Sequence, residues 1–267
     1  MATTFCPLAL AWPRLCLLAS LLLLTGCSLR TSSAPTPAPT PTASSAWQSA
    51  AAGLEWRTLI PDGDELAQIV VVRVDPQRFR FRAIYRAGDP QSLADWRKIE
   101  PDASLIINAN FFDKNHRVLG AVVSDGIRYG SAYSDRGGTF YVRDDRPAVV
   151  SHLSPPSAID SSVQQAVQGF PLLAHRGQPA YFSPTNGERN RRTIIAEDIS
   201  GKILIMVAPF LGLSLHDLSA YLPTTGLEIV TAVNLDGGGS TMLALPAADY
   251  FQPSFDAVPA ILAVYPR

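Results

Sequence analysis

Short apolar runs separated by turn-forming residues recur along most of the chain. Two such runs cover residues 68–74 and 78–84, on either side of an Asp-Pro-Gln turn at residues 75–77. Apolar and basic residues alternate in the second run, which is the period of a strand with one buried and one solvated face. The alternating residues are Phe79, Phe81 and Ala83 on one face and Arg78, Arg80 and Arg82 on the other. We predict a β-hairpin and interpret the arginine face as solvated rather than as an anion site.

Other apolar runs predict further strands, and two segments have the pattern of short helices. Strands are predicted over residues 104–107, 169–173, 194–197, 203–207 and 257–265, and on both sides of residues 236–240. Ser92 and Ser214 each precede an aspartate by three residues, a spacing typical of a helix N-terminus. The predicted fold class is α+β, a single domain of mixed, mainly antiparallel β-sheet with a few short helices.

The N-terminal residues have the pattern of an export signal followed by a tether. Arg14 is the only charge near an apolar run at residues 15–24, which is too short to span a bilayer. Residues 24–27 read LTGC, which is typical of the cleavage site of bacterial lipoproteins. We predict removal of residues 1–26, lipidation of Cys27 and a disordered Pro/Thr/Ala-rich tether over residues 27–46.

This pattern predicts an exported, membrane-anchored lipoprotein with a folded domain over residues 47–267. In a bacterium with two membranes, we expect it at the outer membrane, facing the periplasm. The lipid on Cys27 would anchor the protein in the membrane.

Cysteine and charge content narrow the classes of protein further. Of the three cysteines, Cys6 and Cys16 would leave with the signal and Cys27 would be acylated. The mature domain would therefore contain no disulfide. The 22 basic and 23 acidic residues of the chain nearly balance, without the basic run that nucleic-acid binding requires. We expect no nucleic-acid partner.

The sequence AVNLDGGGSTMLAL at residues 232–245 has the strongest chemical pattern in the chain. Its apolar flanks predict one strand that enters and one that leaves, with Asp236, three glycines and Ser240 between them. Consecutive glycines are expected where the backbone needs a positive φ or must be approached closely. A carboxylate beside bare backbone amides can form a catalytic site, in which the amides hold an anionic oxygen. The alternative is a tight hairpin with a bulge, which the length and glycine content disfavour.

Two other loops carry polar residues at the ends of predicted strands. The strand at residues 104–107 leads into Asn108, Asn110 and Asp113, and turn chemistry explains the asparagines equally well. The polar loop at residues 186–193 contains Arg189, Arg191 and Arg192. Because guanidinium groups bind phosphate through a rigid fork of donors, this loop is a candidate anion clamp. Ordinary surface charge is the alternative.

Four stretches, taken together and in order, resemble the phosphodiester glycosidase family. They are INANFF at residues 107–112, GFPLL at 169–173, RTIIA at 192–196 and AVNLDGGGST at 232–241. The resemblance implies a hydrolase that cleaves the glycosidic C1–O bond of a sugar-1-phosphodiester in the cell envelope. At Asn110 and within residues 194–196 the chain is bulkier than the family pattern.

The resemblance also implies roles for individual residues. Asp236 would be the central catalytic carboxylate, with Asp113 as the second carboxylate and Glu188 as the next candidate. Arg192 and Arg191 would hold the phosphate. The other substrate-binding residues that it implies are Asn108, Asn110, Asn234, Gly237, Gly238, Gly239 and Ser240.

Two functions from other classes compete with this hydrolase. A tethered module that binds envelope glycan or glycolipid would use the same motifs without a productive pair of carboxylates. A metal-dependent phosphodiesterase is disfavoured, because the four histidines are scattered rather than set at metal-ligand spacing. They are His116, His152, His175 and His216. We expect that no cofactor is required, and a divalent cation held by oxygen ligands such as Asp236 stays open.

Overall fold

The computed structural model describes residues 46–133, 135–153, 159–183, 185 and 187–267. The predicted export signal and Cys27 lie outside these residues, as does the predicted tether apart from residue 46. Export, lipidation and the domain boundaries therefore stay predictions. No helix in the described ranges is long and apolar enough to cross a bilayer.

Strands make up most of the regular structure. The α-helices of the described residues are α1 (Leu93–Ile99) and α2 (Leu215–Tyr221). Short 3₁₀ turns lie at Pro61–Gly63, Glu65–Ala67, Leu222–Thr224, Gly238–Ser240 and Pro246–Ala248. The strands are β1 (Gln48–Ala51), β2 (Leu54–Leu59), β3 (Ile69–Val74), β4 (Phe79–Tyr85), β5 (Leu105–Asn108), β6 (Val122–Ser124), β7 (Ile127–Tyr129), β8 (Gly138–Arg143), β9 (Arg146–Ser151), β10 (Val163–Gly169), β11 (Leu172–His175), β12 (Gln178–Pro179), β13 (Arg192–Asp198), β14 (Ile203–Ala208), β15 (Ile229–Asn234), β16 (Leu243–Leu245), β17 (Tyr250–Gln252) and β18 (Ala260–Pro266).

The strands form three sheets. The first has eight strands in the order β1-β2-β3-β14-β13-β15-β11-β12, and the second has five in the order β7-β6-β10-β8-β9. The third has five strands in the order β17-β16-β5-β18-β4. All strand pairs between described residues are antiparallel. The predicted antiparallel sheet with few short helices is confirmed, although the chain is mainly β rather than a balanced α+β fold.

The hairpin predicted at residues 68–84 is wrong, although both of its strands exist. β3 pairs with β2 and β14 in the first sheet, whereas β4 pairs with β18 in the third. Val70 and Val72 of β3 pack in one core and Val71 in another, so this strand is buried on both faces. A strand of that kind lies inside a sheet, with a neighbour on each edge. β4 shows the predicted alternation, with its phenylalanines buried and its arginines at the surface side.

The strand predicted over residues 169–173 is also wrong, because the chain changes sheets there. Gly169 ends β10 in the second sheet and Leu172 begins β11 in the first, with a cis Phe170–Pro171 peptide bond between them. A Cβ on Gly169 would lie 2.2 Å from the carbonyl oxygen of Asn234. Any side chain at this position would therefore displace the end of β15. The second sheet thus joins the first directly beside Asn234.

Both predicted helix starts are confirmed. Ser92 Oγ accepts a hydrogen bond from the backbone N–H of Asp95 at 3.2 Å, and Ser214 Oγ accepts one from Asp217 at 3.1 Å. These caps satisfy backbone donors that have no partner inside the helix. Each helix covers the outer face of a sheet: α2 packs in the core of the first sheet, and α1 packs in that of the third through Trp96.

The main hydrophobic core lies between the three sheets, and it positions the candidate site. Its members include Val72, Phe81, Ile107, Phe140, Val167, Ile195, Val233 and Leu243. Burial of this apolar surface is the main favourable contribution to folding. Three strands that contribute to this core meet at one point. There β5 ends at Asn108, β15 ends at Asn234 and β13 begins at Arg192. The polar side chains described next project from that meeting point.

Candidate active site

The glycine loop, defined here as residues 236–240, connects β15 of the first sheet with β16 of the third. The alternative of a tight hairpin is therefore wrong. Two backbone hydrogen bonds fix the start of the loop: Leu235 N–H donates to the Thr193 carbonyl at 2.8 Å, and Asp236 N–H donates to the Ala109 carbonyl at 3.0 Å. The loop is thus tied both to β13 and to the residue that follows β5.

Close packing explains the glycines of this loop. A Cβ on Gly237 would lie 2.7 Å from the carbonyl oxygen of Arg191, and one on Gly239 would lie 2.0 Å from Oδ2 of Asp256. Gly238 has a φ of 59°, in the left-handed region that glycine adopts without strain. The expectation that these glycines permit close approach or a positive φ is confirmed.

The expectation of bare amides is wrong for two of the three glycines. Gly237 N–H donates to Asp236 Oδ1 at 2.9 Å. Gly238 N–H donates to the Arg191 carbonyl at 2.9 Å. These amides shape the loop and orient its carboxylate, so they are not free to hold an oxygen of a substrate.

Asp236 is partly buried, and the pKa of its carboxyl group is raised. Burial raises the pKa of Asp236 to about 6, because desolvation disfavours the charged form. Hydrogen bonds from the Ser240 hydroxyl and the Gly237 N–H act in the opposite direction but are weaker, and the negative charge of Asp256 raises the pKa further. A carboxyl group with this pKa in a polar loop is a candidate acid, base or nucleophile.

Asp256 is the residue at this site that sequence reasoning missed. The backbone N–H groups of Phe255 and Asp256 donate to the Gly239 carbonyl at 2.7 and 3.1 Å, which pins the segment between β17 and β18 against the glycine loop. The Asp256 carboxylate lies directly beside Gly239. No motif spacing or periodicity marks this aspartate, since its position depends on a contact between two loops.

Asn108 holds the glycine loop in place. It is buried at the end of β5, and its Nδ2 donates to the Asp236 carbonyl at 2.7 Å. Its Oδ1 accepts hydrogen bonds from Thr193 Oγ1 at 2.7 Å and from Met242 N–H at 3.1 Å. These hydrogen bonds use the amide to position the loop, and contact of Asn108 with a substrate stays a prediction. Turn chemistry is wrong as well, because Asn108 belongs to a strand.

Asn110 and Asn234 are also buried, but each has an oxygen to spare. Asn110 Nδ2 donates to the Ala121 carbonyl at 3.1 Å, and Asn234 Nδ2 donates to the Phe170 carbonyl at 3.0 Å. Among the described residues, neither Oδ1 atom has a hydrogen-bond partner. Buried acceptors are seldom left unpaired, so water or a ligand donor is expected there. Substrate binding by these two residues stays a prediction.

The structure separates Arg191 from Arg192, as expected for consecutive residues of an extended segment. Arg191 is buried against the glycine loop, where Nη2 donates to the carbonyl oxygens of Thr241 at 2.6 Å and Pro253 at 2.8 Å. Arg192 lines a different cavity of about 250 Å³, and its Nη2 donates to the Glu188 carbonyl at 2.9 Å. Burial lowers the pKa of both guanidinium groups. The two guanidinium groups therefore lie in different surroundings, and phosphate binding by Arg191 and Arg192 stays a prediction.

Asp113 lies in a turn, and Glu188 lies at the surface. Asp113 Oδ1 accepts hydrogen bonds from the backbone N–H groups of Asn115 at 2.8 Å and Arg117 at 3.0 Å, which hold the pKa of Asp113 below its usual value. This aspartate shapes a turn and lines a cavity of about 610 Å³. Glu188 is exposed beside Arg192. The acidic neighbour whose charge acts on Asp236 is Asp256. Catalytic roles for Asp113 and Glu188 stay predictions.

Metal ligation was left open by the sequence. Within the described parts of the chain, no three His, Cys, Asp or Glu side chains are grouped so that they could hold an ion. Binding of a divalent cation by oxygen ligands such as Asp236 therefore stays open.

Comparison with known proteins places the chain in a family. The sequence model of the phosphodiester glycosidases matches residues 101–265, which include the ends of β5 and β15 and the glycine loop. A cattle N-acetylglucosamine-1-phosphodiester alpha-N-acetylglucosaminidase is 26% identical over 200 residues, covering 64% of this chain and 38% of the relative. The human protein of that name is 25% identical over 225 residues, covering 73% and 43%. The chain thus spans less than half the length of these relatives.

Solved structures show the same fold. The zebrafish N-acetylglucosamine-1-phosphodiester alpha-N-acetylglucosaminidase catalytic domain, auto-inhibited by its pro-peptide, has a TM-score of 0.58 at 16% identity, covering 87% of this chain and 85% of that one. An exported protein of Burkholderia pseudomallei has a TM-score of 0.54 at 13% identity, covering 80% and 74%. At these identities the likeness concerns the fold alone. The sequence match carries the classification: this chain belongs to the phosphodiester glycosidase family.

Proposed function

We propose that this protein is an exported, lipid-anchored hydrolase that cleaves the glycosidic C1–O bond of a sugar-1-phosphodiester in the cell envelope. The observation that carries the proposal is the partly buried Asp236, whose pKa burial raises to about 6, on a glycine loop that is hydrogen-bonded to the backbone of Arg191. The relatives named above are enzymes for an N-acetylglucosamine-1-phosphodiester. That compound class is therefore the first substrate to test.

The leaving group determines which ionisation state of Asp236 is useful. When C1–O breaks, the bonding electron pair goes to a phosphate oxygen, and the product phosphomonoester is a stable anion that needs little help from an acid. The sugar is left with developing positive charge at C1, which an ionised carboxylate stabilises. We therefore assign the catalytic role to ionised Asp236, oriented by the Ser240 hydroxyl and the Gly237 N–H.

Water completes the reaction by adding to C1 and giving up one proton. A carboxylate with a pKa of about 6 accepts a proton readily at neutral pH, because its pKa lies close to the pH at which the enzyme works. We assign the phosphate to Arg191, whose backbone carbonyl accepts the Gly238 N–H of the glycine loop. The proposal keeps the expectation that no cofactor is required.

The test is the release of free N-acetylglucosamine from its 1-phosphodiester with a simple alcohol. The matched control is an alkyl N-acetylglucosaminide, which has the same sugar but no phosphate. We expect cleavage of the phosphodiester and at least a hundredfold slower cleavage of the control. Saturable binding of the phosphodiester without any release of sugar would contradict the proposal and favour a glycan-binding lipoprotein instead.

A further inference from the structure

A cavity of about 610 Å³ is lined by the ends of β4 and β7 and by the segments that follow β4, β5 and β7. Three tyrosine side chains line it together with two aliphatic ones: Tyr85, Tyr129, Tyr133, Val118 and Leu119. We call it the tyrosine cavity. Its volume is in the range of sites that bind small molecules, and an aromatic and aliphatic lining is typical of such sites.

Packing holds the tyrosine rings in place. The rings of Tyr85 and Tyr129 meet edge to face at 5.1 Å, and both pack against the main hydrophobic core. The ring of Tyr133 meets that of Phe170 edge to face at 5.4 Å. All three tyrosines are only partly buried, so apolar surface stays accessible to a ligand. The cavity is therefore preformed, and a ligand would order few side chains on binding.

Asn110 holds one wall of the tyrosine cavity. Its Nδ2 donates to the carbonyl oxygens of Leu119 at 3.3 Å and Ala121 at 3.1 Å, on either side of Gly120. A Cβ on Gly120 would lie 2.8 Å from Cε2 of Tyr133, so the glycine lets that ring pack against the wall. Asn110 is also a position at which the chain is bulkier than the family pattern. This wall thus depends on a residue that distinguishes the chain from that pattern.

Two short connections join the tyrosine cavity to the glycine loop. The Ala109 carbonyl accepts the Asp236 N–H at 3.0 Å, and Asp113, four residues further along the chain, lines the cavity. Four residues span at most roughly 14 Å. On the other side, Asn234 Nδ2 donates to the carbonyl of Phe170, whose ring packs against the third tyrosine of the cavity. The cavity therefore adjoins the candidate active site.

We propose that the tyrosine cavity binds the alcohol that leaves with the phosphate, and that it favours an alcohol with an apolar ring or chain. This inference rests on the proposed function and names the substrate class on the leaving-group side. Burial of an apolar group against the tyrosine rings is favourable. A sugar would find fewer free partners, because the Tyr85 hydroxyl donates to the His116 carbonyl and Asp113 Oδ1 accepts from two backbone N–H groups.

The test compares 2-phenylethyl phosphate with methyl phosphate, two phosphomonoesters of the kind that the proposed reaction releases. Titration calorimetry measures their affinities without turnover, and the ratio of the two cancels the contribution of the phosphate. We expect the phenylethyl compound to bind at least tenfold more tightly, because only its ring reaches the tyrosines. Equal affinities would overturn the proposal. Tighter binding of glucose 6-phosphate than of 2-phenylethyl phosphate would assign the cavity to a sugar and overturn it too.

A matched pair of surface variants locates the binding. Leu119→Asn puts a polar group into the cavity wall at a side chain that is 45% exposed, so we expect the fold to survive and the affinity ratio to fall at least threefold. Ile127→Asn, at a 59% exposed side chain of β7 outside the lining, is the control and should keep the wild-type ratio. An unchanged ratio in Leu119→Asn, or an equal fall in both variants, would overturn the assignment.

Hydrolysis separates this proposal from the proposed function. If the affinity ratios behave as expected but no sugar-1-phosphodiester is cleaved, the tyrosine cavity stands and the glycosidase assignment fails. If the methyl and 2-phenylethyl diesters of N-acetylglucosamine 1-phosphate are cleaved with the same kcat/KM, the glycosidase assignment stands and this proposal fails.

Discussion

Replacement of Asp236 by asparagine should increase stability and abolish activity together. The substitution keeps the shape of the side chain and an oxygen that can accept the Gly237 N–H hydrogen bond, which is 2.9 Å long in the wild type. It removes the charge that the partly buried site tolerates poorly. The two effects have one cause, because a charge held in a desolvated site serves catalysis at the expense of folding.

The size of the stability effect follows from the pKa. Burial raises the pKa of Asp236 from 3.8 to about 6, so the folded protein binds the proton more tightly than the unfolded chain does. Below pH 3.8 the group is neutral in both states and costs nothing. As the pH rises, the free energy of unfolding falls by about 1.5 kcal/mol at pH 5 and about 3 kcal/mol at pH 8. The asparagine variant carries no charge at this position, so it should escape this loss.

Urea unfolding at pH 5 and at pH 8 measures the difference. We expect the Asp236→Asn protein to be more stable than the wild type by up to about 3 kcal/mol at pH 8, and by roughly half as much at pH 5. Hydrolysis should fall by at least a thousandfold, mainly in kcat, because the lost interaction is made in the transition state. Asp249→Asn is the control, since this aspartate is exposed in a nearby left-handed turn that asparagine also adopts.

Two results would refute this reasoning. A stability difference that does not change between pH 5 and pH 8 would show that Asp236 is not desolvated as described. Full activity in the asparagine variant would show that Asp236 is a turn residue rather than a catalytic carboxylate.

Three further predictions concern the pH dependence, the loop support and the anchor. The kcat/KM of the wild type should rise as the pH rises through about 6, because Asp236 must be ionised; a fall through this range would assign it as the acid. Asn108→Ala should lower the free energy of unfolding by about 3 kcal/mol in urea, since three buried groups lose their partner, whereas the exposed Asn115→Ala should have little effect. Metabolic fatty-acid labelling should disappear in Cys27→Ala, and equal labelling of both proteins would contradict lipidation.

Local patterns predicted the strands well but not their partners. The alternation of Phe79 and Phe81 with arginines was sufficient to place β4, and the serine caps were sufficient to place both helices. Pairing depends on contacts between distant residues: β5 joins β16 through Leu243 and Ile107, which lie far apart in sequence. Turn residues at 75–77 favour a hairpin locally, but β3 pairs with β2 and β14 while β4 pairs with β18 in another sheet.

Some residues of the candidate site could likewise be predicted from the sequence, and others could not. Asp236 and the glycines are recognisable because one short motif contains them. The separation of Arg191 from Arg192 could have been predicted from the alternation of side chains along an extended segment. Asp256 could not, because its place beside Asp236 depends on two loops that meet only in the fold. The turn at Asp113 could also have been expected, since an aspartate that follows a strand serves a turn as readily as a site.

The central claim is that the bond between C1 of the sugar and the phosphodiester oxygen is the one that breaks. Hydrolysis in ¹⁸O-labelled water, followed by mass spectrometry of the phosphomonoester product, tests it directly. Attack of water at C1 puts the label in the sugar, so we expect a phosphomonoester without ¹⁸O. A phosphomonoester that carries ¹⁸O, or release of sugar-1-phosphate, would mean attack at phosphorus and would make this protein a phosphodiesterase rather than a glycosidase.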